Sequence, residues 1–293
     1  LSNTIRFFPD KKGLASGLIT GGMGGAAIIA APIANALIER YGVSQAFWRM
    51  GLAYALVGFF FSLFIRSAPK QAVPQTAVAS EKAPTKAITA NKNWKEMLAT
   101  PAFYLLILMF AMGAFSGLMI ASNASLIGQS MFGLSASAAA AYVSLYSLSN
   151  TSGRVFWGAV SDRIGQIRAV IIIYSAIIFA FVLLVSVNQV WAFAAGVVTL
   201  GLCFGGVMGV FPGLVMDNFG PANQGVNYGI VFIGFSSAAF IAPKVTASLA
   251  AANNGDFTKA FYVAIAVVLL GLGLSLVYAK RKADAKLAAE IVQ

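Results

Sequence analysis

The sequence contains no histidine, and Cys203 is its only cysteine. Because Cys203 lies within an apolar run, the chain cannot form an internal disulfide, a zinc site of cysteine and histidine, or a catalytic Cys/His or Ser/His/Asp group. We therefore expect no catalytic residues, no bound metal and no cofactor. We also expect that the protein is not an enzyme.

Charged residues are scarce as well. They make up 10% of the 293 residues, whereas hydrophobic residues make up 59%, and the mean hydropathy is +0.82. A soluble domain of this length could not cover its surface with so few polar groups. The composition predicts an all-α polytopic membrane protein whose surroundings are the lipid bilayer.

Eight apolar stretches are long enough to cross about 30 Å of hydrocarbon as helices. These predicted spans are residues 13–37, 45–66, 101–121, 136–159, 168–187, 190–216, 226–249 and 258–278. All nine acidic residues fall in predicted loops or tails, so the spans contain no carboxylate for a proton relay.

The net charge of +11 is distributed unevenly over the predicted loops. If the first loop is cytoplasmic, the cytoplasmic segments hold 15 of the Lys and Arg residues, and the outer segments hold three, Arg40, Arg49 and Lys259. This asymmetry favours a topology with both ends of the chain in the cytoplasm. It explains the charge without a nucleic-acid partner, with attraction to anionic lipid as a secondary consequence. We expect the membrane to be the plasma (cytoplasmic) membrane.

Residues 67–94 form the only long polar stretch, which lacks helical periodicity and predicts a flexible cytoplasmic linker. We divide the chain into residues 1–66 (the last two helices of one half-bundle), a linker over 67–97, a six-helix bundle over 98–283 and a cytoplasmic tail over 284–293. Two helices before the linker and six after it predict that four helices of the same protein are missing upstream.

An internal repeat supports that count. Pro9, Gly13, Gly17 and Gly22 match Pro221, Gly225, Gly229 and Gly234 at a constant offset of 212 residues. Such a match is expected for two parallel halves of six helices. Glycines also recur at four-residue spacing near both Gly17 and Gly205, which indicates close helix packing, either alone or combined with a gating motion.

Arg154 lies inside the fourth predicted span. Its neighbours at helical spacing are polar, and together they form one stripe of Tyr146, Ser147, Asn150, Thr151 and Arg154. An arginine at the centre of a span costs at least about 2.5–3.5 kcal/mol and indicates a functional site by default. The lack of a nearby acidic partner favours a guanidinium that binds an anion through two hydrogen bonds. The alternative is a structural arginine that snorkels to the cytoplasmic surface near Asp162, about 12 Å along the helix.

Three segments resemble loops of the major facilitator superfamily. Residues 158–168 resemble the signature loop between its eighth and ninth helices, through Gly158, Asp162, Arg163, Gly165 and Arg168. Residues 6–17, and the motifs at 217–220 and 227–229, resemble the loops into the fifth and eleventh helices of the oxalate/formate antiporter branch, a relative of the monocarboxylate transporters. The resemblance implies the major facilitator fold, with eight helices equivalent to helices 5–12 of twelve, and a loop that ties cytoplasmic helix ends together.

The resemblance also implies a secondary active transporter of small carboxylates, working by alternating access, with Arg154 as the residue that binds the carboxylate. Asn150 stands where the monocarboxylate relatives commonly carry an Asp, which favours anion exchange or facilitated transport over proton symport. Phe235 stands where oxalate-exchanging members typically carry a Lys, and Lys244 lies nine residues further on, on the opposite face of the helix. One cation leaves a second carboxylate uncompensated, so we expect monocarboxylates such as formate, lactate or pyruvate to be favoured.

The residues expected at the substrate are Arg154, Asn150, Tyr146, Ser147, Thr151, Phe204 and Phe235. Two alternatives stay open beside this interpretation. One is an oxalate/formate exchanger proper, and the other is a truncated membrane protein that keeps the fold without transporting.

The charge asymmetry makes a prediction about orientation. Epitope tags placed after Gln293 and within residues 67–94 should both be inaccessible to antibody added outside intact cells. A tag next to Lys259 in an outer loop is the matched control and should be labelled. External labelling of either of the first two tags would contradict the whole helix map.

Overall fold

The computed structural model describes residues 1–8, 10–66 and 91–291, of which residues 27, 28, 31, 32, 35, 285, 286 and 288–291 are described by their backbone alone. All regular secondary structure in these ranges is helical. The helices are α1 (Ser2–Phe7), α2 (Lys12–Ser62), α3 (Trp94–Leu98), α4 (Pro101–Phe132), α5 (Ala136–Ile164), α6 (Gln166–Ser186), α7 (Val190–Phe219), α8 (Gln224–Val231), α9 (Ile233–Ala251) and α10 (Thr258–Ile291).

The all-α membrane class is confirmed. Within the described ranges, five helical stretches are long and apolar enough to cross a membrane: Pro101–Phe132, Gln166–Ser186, Val190–Phe219, Gln224–Ala251 and Thr258–Asp284. Each contains one of the predicted spans or nearly all of it. The other three predicted spans lie almost entirely within α2 and α5, which are helical but not among the five. In α5 the polar stripe around Arg154 lowers the hydropathy.

Helix ends differ from the predicted ones in several places. Residues 12–62 form one helical run that is broken only at Gly42. Its φ of 76° and ψ of 166° form a conformation that glycine adopts readily because it has no Cβ. Glu39, predicted in a loop, therefore lies in α2 just before this bend. The seventh predicted span is divided at Phe232 into α8 and α9. α10 continues past the membrane boundary through a basic cluster and into the predicted tail.

Most of the predicted linker, residues 67–90, lies outside the described residues. Its last residues are helical, because α3 begins there. The Asn93 side chain accepts hydrogen bonds from the backbone N–H groups of Lys95 and Glu96, and the Glu96 carboxylate accepts from Asn93 N. This capping box satisfies N–H groups that a short helix otherwise leaves unpaired.

Two compact units can be distinguished by backbone proximity. One comprises Leu1–Gly21 with Ala87–Gln293, and the other comprises Gly22–Lys86. In the first unit α5 and α6 both pack on α7, α4 packs on α9, and α10 packs on α4 and α6. In the second unit large apolar side chains such as Trp48 and Phe59 are exposed, which suits a surface in lipid. The division into half-bundles that the sequence predicts stays a prediction.

The core of the first unit is apolar and aromatic, with a few polar groups that bond to backbone. Tyr174 is fully buried, and its hydroxyl donates to the carbonyl oxygen of Met109 across the α4 and α6 contact. Gly113 and Gly271 both lie against the Tyr174 ring. The buried core therefore packs around the Tyr174 ring, and the hydroxyl of Tyr174, its single polar side-chain atom, has a hydrogen-bond partner.

Candidate functional site

α5 contacts its two neighbours through backbone atoms. A Cβ on Gly17 of α2, or on Gly209 of α7, would overlap the carbonyl oxygen of Arg154, and one on Gly205 would overlap that of Asn150. Gly153 of α5 lies equally close to the carbonyl oxygen of Leu202. The close helix packing predicted from the glycine spacing is thus confirmed at these positions. It fixes Arg154 between the first turns of α2 and the middle of α7.

The guanidinium of Arg154 bonds to neutral oxygens. Nη1 donates to the carbonyl oxygen of Thr20 at 2.6 Å, and Nε and Nη2 both donate to Asn150 Oδ1 at 3.2 Å. Three of the five N–H groups are used in this way, which leaves one on each terminal nitrogen. Among the residues that the structure describes, neither of these has an acceptor, and the only salt bridge joins Lys12 to Asp217.

The direction of this side chain bears on the snorkelling alternative. Asp162 lies beside the start of α2 at Gly13, whereas Arg154 reaches Thr20, which is about 10 Å further along α2 at 1.5 Å per residue. Asn150 likewise lies one turn further from the Asp162 end of α5. The guanidinium therefore points into the bundle, away from the helix end to which a snorkelling arginine would extend.

Two buried polar atoms beside Arg154 have no hydrogen-bond partner among the described residues. They are Asn150 Nδ2 and Thr151 Oγ1. Because Asn150 Oδ1 accepts from the guanidinium, its amide is oriented with Nδ2 as the remaining donor. A buried polar group without a partner costs about 1–3 kcal/mol. Arg154, Asn150 and Thr151 thus present unused donors of the kind that an anion would satisfy.

The other residues predicted at the site are placed differently. The Tyr146 hydroxyl donates to the carbonyl oxygen of Gly117 at 2.7 Å, and Ser147 Oγ donates within its own helix to Val143 at 3.1 Å. Both hydroxyl protons are therefore already engaged. The polar stripe does not act as one surface, because α5 turns part of it towards α4.

Phe204 and Phe235 form an apolar wall. Their rings are nearly parallel, with an interplanar angle of 6° and centroids 6.3 Å apart. Phe235 also lies 4.7 Å from the Phe232 ring and 6.2 Å from the Phe110 ring. Phe204 is buried against the backbone of Gly117. Lys244 of α9 is exposed, and its ammonium lies 3.7 Å from the centroid of the Phe240 ring.

Sequence reasoning missed Thr20 and Tyr228. Thr20 contributes a backbone oxygen, for which side-chain patterns give no signal. Tyr228 belongs to the aromatic cluster around Phe235, because its ring lies 5.7 Å from that of Phe232 and 6.2 Å from that of Phe110. Its signal was present, since it is the central residue of the motif at 227–229.

The signature loop forms hydrogen bonds to the first residues of α2 through Asp162. Asp162 accepts hydrogen bonds from the backbone N–H of Gly13 through Oδ1 at 2.8 Å and from that of Leu14 through Oδ2 at 2.9 Å. A carboxylate at this position satisfies unpaired N–H groups and complements the positive end of the helix dipole. Gly158, which lies one turn before Asp162 in α5, contacts the backbone of Gly13.

The remaining residues of the signature loop, Gly165, Arg163 and Arg168, do not contact α2 in the hydrogen bonds described above. Gly165 ends α5 with a φ of 90°, which permits the turn into α6. Arg163 and Arg168 are exposed. Two further contacts hold the beginning of the chain: Lys12 Nζ lies 3.0 Å from Asp217 Oδ1, and Arg6 Nη2 donates to the carbonyl oxygens of Pro221 and Ala222 at 2.6 and 2.8 Å.

Comparison with known proteins identifies the same relationships. The sequence pattern of the Major Facilitator Superfamily matches residues 2–243 and, in a second overlapping match, residues 132–290. An uncharacterised MFS-type transporter of Escherichia coli, YhjX, is 34% identical over 237 residues, which are 80% of this chain and 57% of YhjX. The oxalate:formate antiporter of Oxalobacter formigenes is 29% identical over 277 residues, 94% of this chain and 64% of the antiporter. The chain thus spans 57–64% of the length of these relatives.

The two bonds at Asp162 predict a stability effect. Asp162→Asn keeps the size of the side chain but removes the charge, so the free energy of unfolding should fall by about 1 kcal/mol. Thermal unfolding of the detergent-purified protein measures this change. Arg163→Gln is the matched control, because Arg163 is exposed and should leave the midpoint unchanged. Equal midpoints for Asp162→Asn and the unaltered protein would show that the contact contributes nothing.

Proposed function

Since this chain belongs to the Major Facilitator Superfamily, we propose that it is part of a secondary active transporter of small organic anions. In this proposal carboxylates bind at Arg154 and cross the membrane by alternating access, through exchange or facilitated transport. The observation that carries it is the guanidinium of Arg154, held between α2 and α7 with one unused N–H group on each terminal nitrogen.

A carboxylate suits this guanidinium by shape and charge. The two carboxylate oxygens can accept one hydrogen bond from each terminal nitrogen, a planar arrangement that a lysine cannot reproduce. Asn150 Nδ2 and Thr151 Oγ1 supply two further buried donors. An anion would therefore satisfy four donors that have no partner among the described residues, and it would offset the cost of a cation within a span.

The aromatic wall supports a small, singly charged substrate. Phe204 and Phe235 present ring surface where a second carboxylate would need a cation or water. Lys244 is exposed on α9 and stacks on Phe240. We therefore propose formate, lactate or pyruvate as the type of substrate.

Exchange or facilitated transport is preferred over proton symport. The side chain that accepts hydrogen bonds from Arg154 is that of Asn150, and an amide, unlike a carboxylate, does not take up and release a proton. Two acidic residues in the described ranges serve other contacts: Asp162 caps α2, and Asp217 pairs with Lys12. A proton carrier would have to come from elsewhere.

A second candidate function is oxalate/formate exchange proper. The observation that favours it is the 29% identity with an oxalate:formate antiporter over 94% of this chain. It differs from the first candidate only in requiring the site to stabilise two carboxylates.

The proposal has two structural parts. Four further helices join those of residues 1–66 to complete the first half of a twelve-helix transporter. The site is then closed between this half and the six-helix bundle of residues 98–283. The protein lies in the plasma membrane with its carboxyl terminus in the cytoplasm, as the charge asymmetry favours.

The role of Arg154 can be tested by substitution. Arg154→Gln should lower uptake of labelled formate or lactate by at least about 100-fold, because two charge-assisted hydrogen bonds are lost. Arg154→Lys should restore little, since lysine lacks the planar fork. Expression should stay near normal, because a buried cation is removed. Uptake is measured in vesicles that hold the full-length protein.

Lys259→Gln removes a positive charge at an exposed position outside the site and should transport normally. Normal uptake by Arg154→Gln would mean that Arg154 is structural. Loss of uptake in both variants would point instead to a general effect of charge.

The substrate charge is tested by competition. Against a labelled monocarboxylate, unlabelled formate, lactate or pyruvate should inhibit more strongly than oxalate at equal concentration, because one guanidinium leaves a second carboxylate desolvated and unpaired. Lys244→Ala should leave this ranking unchanged. Stronger inhibition by oxalate, with Lys244→Ala harmless, would contradict the argument from a single cation.

A further inference from the structure

An open cavity of about 250 Å³ lies between the end of α10 and the start of α4, and none of the residues around Arg154 lines it. Its apolar wall is Pro101, Ala102 and Leu105, and its charged side is Arg281 and Lys282. We propose that this cavity binds the headgroup of an anionic phospholipid, with the phosphate at the two cations and the glycerol on the apolar wall.

The position of the cavity fits a lipid headgroup. The apolar stretch of α4 begins at Pro101, and that of α10 ends near Tyr278, just before Lys280, so the cavity lies where both helices leave the hydrocarbon. α3 lies just before α4, and its Trp94 is exposed with the Lys95 ammonium 5.4 Å from the ring centroid. Tryptophan with a neighbouring lysine is typical of the boundary between lipid and water.

The charge of the cavity is positive. Arg281 and Lys282 are exposed, and Lys280 precedes them on the same helix. Asp217, next to the lining residue Asn218, is held by Lys12 at 3.0 Å. Asn218 Oδ1 accepts from the Tyr278 hydroxyl at 2.6 Å, so these two polar groups of the wall bind one another. The cations are thus the groups available to a phosphate, to which arginine can donate two parallel hydrogen bonds.

The start of α4 adds to the positive electrostatic potential of the cavity. Thr100 is its N-cap but does not cap it through the side chain, because Thr100 Oγ1 donates to the carbonyl oxygen of Met97 at 2.7 Å. Pro101 has no N–H, and Thr100 N and Phe103 N donate to the carbonyl oxygens of Met97 and Thr100, so the N–H of Ala102 is the one left at this helix start, beside the cavity wall.

The surface of α4 beyond the cavity distinguishes a lipid from a free anion. Tyr104 and Leu108 are exposed one and two turns into the span. They continue the apolar wall of Leu105 into the hydrocarbon, where an acyl chain attached to the headgroup would lie. A free phosphate would gain nothing from this surface.

The inference is tested by native mass spectrometry of the detergent-purified protein titrated with phosphatidylglycerol or phosphatidylcholine. Phosphatidylglycerol should bind more tightly, and Arg281→Gln with Lys282→Gln should weaken its binding by about 30-fold, the effect of two basic residues at a membrane surface. Phosphatidylcholine binding should not change. The matched control, Lys11→Gln with Lys259→Gln, removes the same charge from exposed positions outside the cavity and should bind like the unaltered protein.

A second variant keeps the charge and fills the space. Ala102→Leu should reduce the preference for phosphatidylglycerol by occupying the apolar wall, and it decides the question if the double variant fails to fold. Three results would overturn the inference: no headgroup preference in the unaltered protein, an equal loss in the control variant, or binding unchanged by Ala102→Leu. Displacement of the lipid by equimolar glycerol phosphate would also overturn it, because the site would then take the free anion.

Discussion

The structure depends on the backbone contact of α5 with α2 and α7. Glycines at the contact points allow carbonyl oxygens of one helix to touch the backbone of the next. The same contact brings the Thr20 carbonyl within 2.6 Å of Arg154 Nη1. Any side chain at Gly17 would separate α2 from α5 and move the Thr20 carbonyl, which is the acceptor of the guanidinium that lies on another helix.

The site and the signature loop lie on the same two helices. Asp162 holds the first turn of α2, and Arg154 holds the same helix two turns later through Thr20. Movement of α2 against α5 would have to break both sets of bonds. In the transport proposal, a carboxylate on the two unused N–H groups shares the guanidinium with the Thr20 carbonyl. In that proposal, binding at Arg154 would be connected to the packing of α2 through the shared guanidinium, which would link the substrate to helix movement.

The site residues themselves were only partly predictable. Arg154 was identified because a cation in an apolar span is costly, and Asn150 and Thr151 because helical spacing places them beside it. The same spacing also selected Tyr146 and Ser147, whose hydroxyls bond to Gly117 and Val143. Periodicity gives the position of a side chain around its own helix. It does not give the neighbouring helix that the side chain meets.

By itself, the sequence determined the class of protein, the family and the existence of a cation within a span, because hydropathy and motif spacing are properties of contiguous residues. Tertiary structure decided the rest. Arg154 meets a carbonyl 134 residues away, and Asp162 meets backbone N–H groups 148 and 149 residues away. Backbone donors and acceptors are the same at every non-proline position, so only the packing of α2 on α5 selects Thr20, Gly13 and Leu14 as partners.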